Sequence, residues 1–393
     1  MPWKETSVID ERTRMIGEYL SGDYSVSELA RRWSVSRRVV YKWIGRYEED
    51  PARGLKDRSR APHHHPNALS ATMEQRILEW KAKHPLWGAP KIHSKLQVYG
   101  DCPAESTVSN VLQRHGLSRK ARQRRAAVPS AGPLSHCQKA NGVWCADFKG
   151  WFRTGDGRRC EPLTISDAHS RYLLCCQAIS TTTGMVTVQP LFERTFREYG
   201  IPEAMRTDNG PPFASHGLAG LTELSVWWLR LGIRLERIQP GQPQQNGRHE
   251  RMHRTLKEAT AKPPRSNLCA QQKAFDTFRQ EYNNERPHEA LGQKPPADCY
   301  TPSNREYPSR LAELEYPDDW HKRRVHAGGQ TRWKGYKVQI SHALVGQLIG
   351  LEPIADGLWA IHFGKLQLGQ LDERRRRVLP IKRLPSSNET SKL

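Results

Sequence analysis

The sequence predicts a multidomain protein: an α/β core on a mixed sheet, all-α helix-turn-helix units ahead of it, and a small β-barrel behind it. Three observations carry that expectation. With 393 residues the chain exceeds an ordinary single domain. Breaker-rich basic stretches at 51–69 and 118–140 hold few apolar residues, so they read as linkers that set two short helical regions apart. Beyond residue 141 the apolar pattern changes from helical spacing to alternation, which marks the start of a sheet.

Charge narrows the partners. The 62 Lys and Arg exceed the 41 Asp and Glu by 21, and such a surface attracts polyanions, with nucleic acid ahead of an anionic membrane. The excess sits in the flanks: net +11 over residues 1–140, +4 over 141–299 and +6 over 300–393. No stretch approaches the roughly 18 to 20 apolar residues of a spanning helix, and Met1-Pro-Trp-Lys-Glu-Thr is not a secretory leader, so no membrane partner and a cytoplasmic location are expected. The eight cysteines are too sparse for a disulfide scaffold and are expected to be reduced. The run His63-His64-His65 has no cysteines at zinc spacing and reads as part of a linker.

The first unit, residues 1–50, carries Ser25-Val-Ser-Glu-Leu-Ala-Arg-Arg-Trp33, then Ser34-Val-Ser36, then Arg37-Arg-Val-Val-Tyr-Lys-Trp43. Two short amphipathic helices joined by a turn are helix-turn-helix grammar. Leu29, Ala30, Trp33, Val40 and Trp43 have core spacing, Ser36 suits an N-cap, and Arg37, Arg38, Lys42 and Arg46 are left facing outward. Such a helix can enter a major groove, whereas a plain three-helix module would merely solvate the same charges. The second unit, residues 70–117, repeats the pattern less clearly, with helices expected at Met73–Trp80, Gly88–Leu96 and Ser106–His115.

The core is expected over 141–299. Val143 to Phe152, Arg159 to Ile165 and Arg171 to Ile179 read as a meander of strands. A helix from Thr183 to Tyr199, a short strand ending at Thr207, a helix around Leu218 to Leu231 and another from about Gln245 to Lys262 follow. Strands followed by alternating helix and strand suggest a mixed sheet covered by helices. Beyond it, 325–373 holds short strands with Gly-containing turns, the expected β-barrel, and 374–393 reads as a disordered basic tail.

Three acids stand where chemistry would use them. Asp147 lies mid-strand, where alternation against Trp144 and Ala146 sets it on one face of an otherwise apolar strand, and burying it costs energy unless something pairs with it. Asp208 opens Asp208-Asn-Gly-Pro-Pro-Phe at the carboxyl end of a strand, a favoured place for ligand sites. Glu250 comes early in a helix, with Met252, Leu256 and Ala259 spaced for the core and Glu250, Arg254 and Lys257 sharing another face. Each also has a plain reading: a turn for Asp208, dipole compensation for Glu250, a solvated face for Arg254 and Lys257.

Taken together the motifs resemble the DDE core of transposases and retroviral-type integrases, and more narrowly the IS481 family of bacterial insertion-sequence transposases. They are Trp144-Cys-Ala-Asp147-Phe-Lys-Gly, Asp167-Ala-His-Ser-Arg171, Tyr199-Gly-Ile-Pro-Glu-Ala-Met-Arg-Thr-Asp208-Asn-Gly, Pro240-Gly-Gln-Pro-Gln-Gln-Asn-Gly247 leading to Glu250, and Tyr282-Asn-Asn-Glu-Arg-Pro-His-Glu-Ala-Leu291. The interval between Asp208 and Glu250 is longer than in many integrases and includes Trp227, Trp228 and Leu229. Asp167 precedes a turn and is left out of the catalytic set.

The resemblance implies an RNase H-like fold with Asp147, Asp208 and Glu250 as catalytic residues and metal ligands for two Mg²⁺ ions, Mn²⁺ being able to substitute. Hard carboxylate oxygens suit Mg²⁺, and two such ions can activate the attacking oxygen and stabilise the leaving one at phosphorus. The implied activity is DNA strand cleavage and strand transfer of an insertion sequence. The implied partners are its terminal inverted repeats, target DNA and further copies of the chain, as a dimer or tetramer on DNA at the bacterial nucleoid. Arg37, Arg38, Lys42, Arg46, Arg254 and Lys257 are the candidate DNA contacts. The rival reading is a DNA-binding regulator with an inactive core. A nuclease acting on RNA hybrids shares the core, but the helix-turn-helix argues against it.

Overall fold

The computed structural model describes residues 7–60, 68–100, 102–118, 137–180, 184–238 and 247–380, in two compact units, Met1–Ser70 and Ala71–Leu393. The run His63–His65 and the Pro240–Asn246 motif lie outside the described residues.

In the first unit, α1 (Val8–Leu20) and α2 (Val26–Arg32) each begin with a capping box, Ser7 with Asp10 and Ser25 with Glu28. Ser34, at φ 51°, turns the chain into α3 (Arg37–Glu49), where Ser36 holds the N-cap position without a side-chain hydrogen bond. Met15, Ile16, Leu29, Ala30, Val40, Trp43 and Ile44 form the core. Trp33, expected there, is half-buried and donates from Nε1 to Glu18 at 2.9 Å. The linker expected from residue 51 starts later: Leu55 is buried in this core, and Arg12 donates to its carbonyl and pairs with Asp57.

The second unit starts with α4 (Ala71–Lys83), α5 (Ala89–Leu96) and α6 (Glu105–Arg114), packed through Ile77, Trp87, Ile92, Leu96, Val108 and Val111. The central sheet follows. β1 (Val143–Phe148), β3 (Arg159–Asp167) and β4 (Leu173–Ile179) form the expected antiparallel meander, with the short β2 (Phe152–Arg153) paired to the start of β3. Then α7 (Met185–Tyr199) leads to β5 (Ala204–Thr207), which lies parallel to β1, and α8 (Glu223–Arg230) leads to β6 (Arg234–Arg237), parallel to β5. Arg206 and Glu236 face each other in that last pairing and form a buried ion pair of 3.0 Å.

The two faces of the sheet differ in chemistry because β3 alternates. Leu163 and Ile165 join Trp144 and Ala146 under α7 and α8, whose Val188, Phe192, Phe196, Leu224, Trp227 and Trp228 complete an apolar core. Thr164 and Ser166 point the other way, toward α9 (Gly247–Thr260). Residues 160, 173 and 176 extend that second face beneath α9 and α10 (Leu268–Asn284) through Met252, Leu256, Phe275, Phe278 and Tyr282. The α4–α6 helices are anchored to the end of α10: Lys83 pairs with Glu285 at 2.9 Å, His84 Nδ1 lies 2.9 Å from Glu281, and Lys91 donates to the Pro287 carbonyl.

Past the expected end of the core at 299, Tyr300, Tyr307 and Leu311 still pack on the apolar cluster, and Arg305 donates to the carbonyls of Pro202 and Leu231, so the core continues into this segment. The C-terminal module is antiparallel: β7 (His321–Arg324), β10 (Leu348–Ala355), β11 (Leu358–Phe363), β12 (Leu366–Asp372) and β13 (Arg377–Pro380) make one sheet, and β8 (Gln330–Trp333) with β9 (Tyr336–Gln339) makes a hairpin. Sheet and hairpin enclose one core with Trp333, Val338, Ile349, Leu351, Ile361 and Phe363, and no ladder among the described residues closes it into a hydrogen-bonded barrel. The tail expected from Arg374 is corrected in part. Glu373 accepts from Trp333 and Trp359, fixing the turn, and β13 then pairs with β12. Residues 381–393 lie outside the described residues.

Candidate active site

Asp147 stands near the end of β1, opposite Thr164 of β3, on the face covered by α9. Its side chain is only 20 % exposed. Burial, and after it the negative charge of Asp208, push its carboxyl up to about 7, with a smaller contribution from Glu250 and a partial offset from Lys149 and the Phe148 N–H. Asp147 therefore feels the charges of both Asp208 and Glu250, and the three acids picked out in the sequence share one neighbourhood.

Asp208 follows the last residue of β5, the strand parallel to β1. Burial raises its carboxyl too, against the Gly210 N–H, which favours the anion. Its Oδ1 is buried and has no hydrogen-bond partner. The turn presses close: a Cβ at position 210 would sit 3.1 Å from Oδ2 and would push the carboxylate by a few tenths of an ångström. Asn209 clips the turn to β6's end by donating to the Ile238 carbonyl at 2.7 Å. Glu250 lies in the first turn of α9 and is exposed.

The buried face of α9 keeps the expected Met252 and Leu256 and adds polar residues beside them. Ala259 is exposed, and the buried stripe is His249, Met252, His253, Leu256 and Thr260. His249 Nε2 and His253 Nε2 lie 2.7 and 2.6 Å from Thr164 Oγ1, His249 Nδ1 lies 2.9 Å from Ser166 Oγ, and His253 Nδ1 faces Asp147 Oδ2 at 3.8 Å. Burial holds His249 down at about 3 and pushes His253 further down, so both rings are neutral and the His253–Asp147 contact is not an ion pair. Asp147, His249 and His253 offer ligand atoms within 4.8 Å of one another. Sequence reasoning missed this pair; its signal was two histidines at i, i+4 flanking Glu250 opposite the Thr164-x-Ser166 alternation.

Asp167 is saturated structurally. It is buried and accepts from the N–H groups of Asn141 and Ser170 and from the Ser170 hydroxyl at 2.6 to 2.8 Å, so it ties the start of β1 to the β3–β4 turn. Of the remaining candidates, Arg254 and Lys257 are exposed on α9 on the side of Glu250. In the first unit Arg37 and Arg38 are exposed at the start of α3, while Lys42 and Arg46 lie 4.8 and 4.9 Å from the Trp43 ring, joined there by Arg12 at 3.8 Å.

Two integrase core domain models match residues 138–243 and 231–296. A helix-turn-helix domain matches 11–63, a homeodomain-like domain 39–112, and the IS481 family transposase C-terminal domain 321–379. An uncharacterized 31.7 kDa protein of insertion element IS407 from Burkholderia multivorans is 25 % identical over 275 residues, 70 % of this chain and 93 % of its own length. An uncharacterized 39.2 kDa protein of insertion element IS476 from Xanthomonas euvesicatoria is 26 % identical over 235 residues, 59 % of this chain and 65 % of its own. Among solved structures, the HTLV-2 integrase catalytic core domain in complex with magnesium is 16 % identical, covers 41 % of this chain and 97 % of its own, and has a TM-score of 0.33.

The sheet order and the integrase core matches give the chain an integrase core of RNase H-like fold, with a helix-turn-helix domain match ahead of it. The C-terminal module, residues 321–379, is similar to the C-terminal domain of IS481 family transposases. No helix among the described residues is long and apolar enough to cross a membrane.

Proposed function

We propose that the chain is a DDE transposase that cleaves and joins DNA, with Asp147, Asp208 and Glu250 as catalytic residues holding two Mg²⁺ ions, or Mn²⁺ in their place. The observation that carries this reading is the electrostatic crowding of Asp147 by Asp208 and Glu250, together with the buried, unpartnered Oδ1 of Asp208. A buried carboxylate oxygen without a donor is costly, and a buried acid whose proton affinity is raised by two neighbouring acids marks a site that a hard divalent cation relieves. Bound there, the ions would activate the attacking oxygen and stabilise the leaving one at phosphorus.

The rest is supplied by the chain. Asp147 and Asp208 come from neighbouring parallel strands, so the sheet fixes their separation, while Glu250 closes from the first turn of α9. Arg254 and Lys257 grip the phosphate backbone beside the acids, and Arg37, Arg38, Lys42 and Arg46 of α3 read the terminal inverted repeat in the major groove. Target DNA takes the second strand position. Two ends must be held at once, so the working form is a homo-oligomer, dimer or tetramer, on DNA in the bacterial cytoplasm.

The test is a strand-transfer assay with an oligonucleotide of the flanking terminal repeat, Mg²⁺, and wild-type against Asp208→Asn protein. A loss of about a thousandfold or more, some 4 kcal/mol at the transition state, is expected. Equal product from both proteins would remove the triad and leave the DNA-binding regulator.

A further inference from the structure

The hydrogen bonds around Thr164 fix the tautomers of both buried histidines. Its hydroxyl lies 3.1 Å from the Asp147 carbonyl oxygen and within 2.7 Å of His249 Nε2 and His253 Nε2. A hydroxyl has one proton and two lone pairs, and a carbonyl can only accept. All three bonds form only if Thr164 donates to the carbonyl and both imidazoles donate from Nε2. His249 Nδ1 then accepts from Ser166 Oγ at 2.9 Å. His253 Nδ1 is left with an unengaged lone pair, and it lies 3.8 Å from Asp147 Oδ2, a gap too wide for a hydrogen bond.

Two electron-rich atoms facing a common gap suit a cation. The anchoring is also what a metal ligand needs, because a ligating imidazole is held in place by donating its other N–H to a fixed acceptor, as His253 does to Thr164. We propose that His253 Nδ1 is a nitrogen ligand in the same metal pocket as Asp147, giving that pocket a preference for imidazole-accepting divalent ions, Mn²⁺, Co²⁺ and Zn²⁺, over Mg²⁺. This rests on the reading of Asp147, Asp208 and Glu250 as a metal site and adds a selectivity that three carboxylates alone do not supply. His249 has both ring nitrogens engaged with Thr164 and Ser166, so it is a positioning residue that holds α9 against β3.

The probe is Mn²⁺ added to the full-length, DNA-free protein and read by electron spin-echo modulation. Wild-type protein should show nitrogen modulation from one directly bound imidazole, and labelling its histidines with ¹⁵N should convert that signal without any substitution. His253→Gln should abolish it and weaken Co²⁺ binding by about tenfold or more in calorimetry, with Mg²⁺ binding changed far less. His249→Gln should keep it. Bound Mn²⁺ without nitrogen modulation, or no Mn²⁺ bound at millimolar concentration, overturns the inference. The two readings fail separately: absent modulation with intact Mg²⁺-dependent strand transfer removes the His253 ligand alone, whereas full strand transfer by Asp208→Asn removes the catalytic reading alone.

Discussion

The two faces of the central sheet are built from alternate residues of the same strands and do opposite work. On one, Trp144, Ala146, Leu163 and Ile165 meet the aromatic faces of α7 and α8, with Phe192 against Trp228 at 5.0 Å between ring centroids. On the other, Asp147, Thr164 and Ser166 meet His249 and His253, and nearly every polar atom is spoken for except where the carboxylates crowd. The lesson is a division of labour. The apolar face supplies folding free energy, and the polar face spends some of it to hold acids in a state that water would not permit.

Substitutions separate the two faces. The largest effect is expected from Phe192→Ala on the apolar side: a fully buried ring is lost, stability falls by about 3 to 5 kcal/mol, and chemical denaturation measures it. Thr164→Val keeps the shape but strands two buried imidazole N–H donors. It should cost about 2 to 3 kcal/mol in the same measurement and should lower strand transfer as α9 loosens.

Asp147→Asn should act in the opposite direction on the metal-free protein. The folded carboxyl, raised to about 7, keeps a proton that the unfolded chain has already released above pH 4, so wild-type stability falls as pH rises from about 4 through 7. Asn cannot ionise and escapes that loss. The variant should therefore gain stability over wild type at pH 8, at most about 4 kcal/mol, and almost nothing at pH 4, followed by thermal unfolding in a chelator. A gain that grew toward low pH would contradict the burial of this acid.

The smallest effect on stability belongs to Arg254→Ala and Lys257→Ala, exposed on α9. Each should change folding by under about 0.5 kcal/mol and flatten the salt dependence of DNA binding by about one phosphate contact.

Much of this division was readable from residue patterns, because each part of it is local. Alternation along 143–179 announced the meander, the turn chemistry of Asp208-Asn-Gly placed an acid at a strand end, and the spacing of Leu29, Val40 and Trp43 announced the first helical unit. What escaped depends on contacts distant in the chain. β6 is a four-residue Arg-Leu-Glu-Arg strand that exists because β5 offers it an edge and Arg206 meets Glu236 there. α10 is rich in Gln and Asn, and its core positions Phe275, Phe278 and Tyr282 matter only once β4 lies beneath them. β13 follows a run of arginines that looks like a tail until β12 pairs with it. The buried histidines are the sharpest case: their spacing is plain, but a helix face of His249 and His253 is solvated or buried according to what β3 presents, and Thr164 with Ser166 make burial affordable.

The most direct test of the account is a crystal grown with Mn²⁺ and examined by anomalous scattering at the manganese edge. Peaks between the carboxylates of Asp147, Asp208 and Glu250 are the expected result. Manganese bound elsewhere, with Asp208 Oδ1 still buried and unpartnered, would contradict the claim that these acids form one metal site.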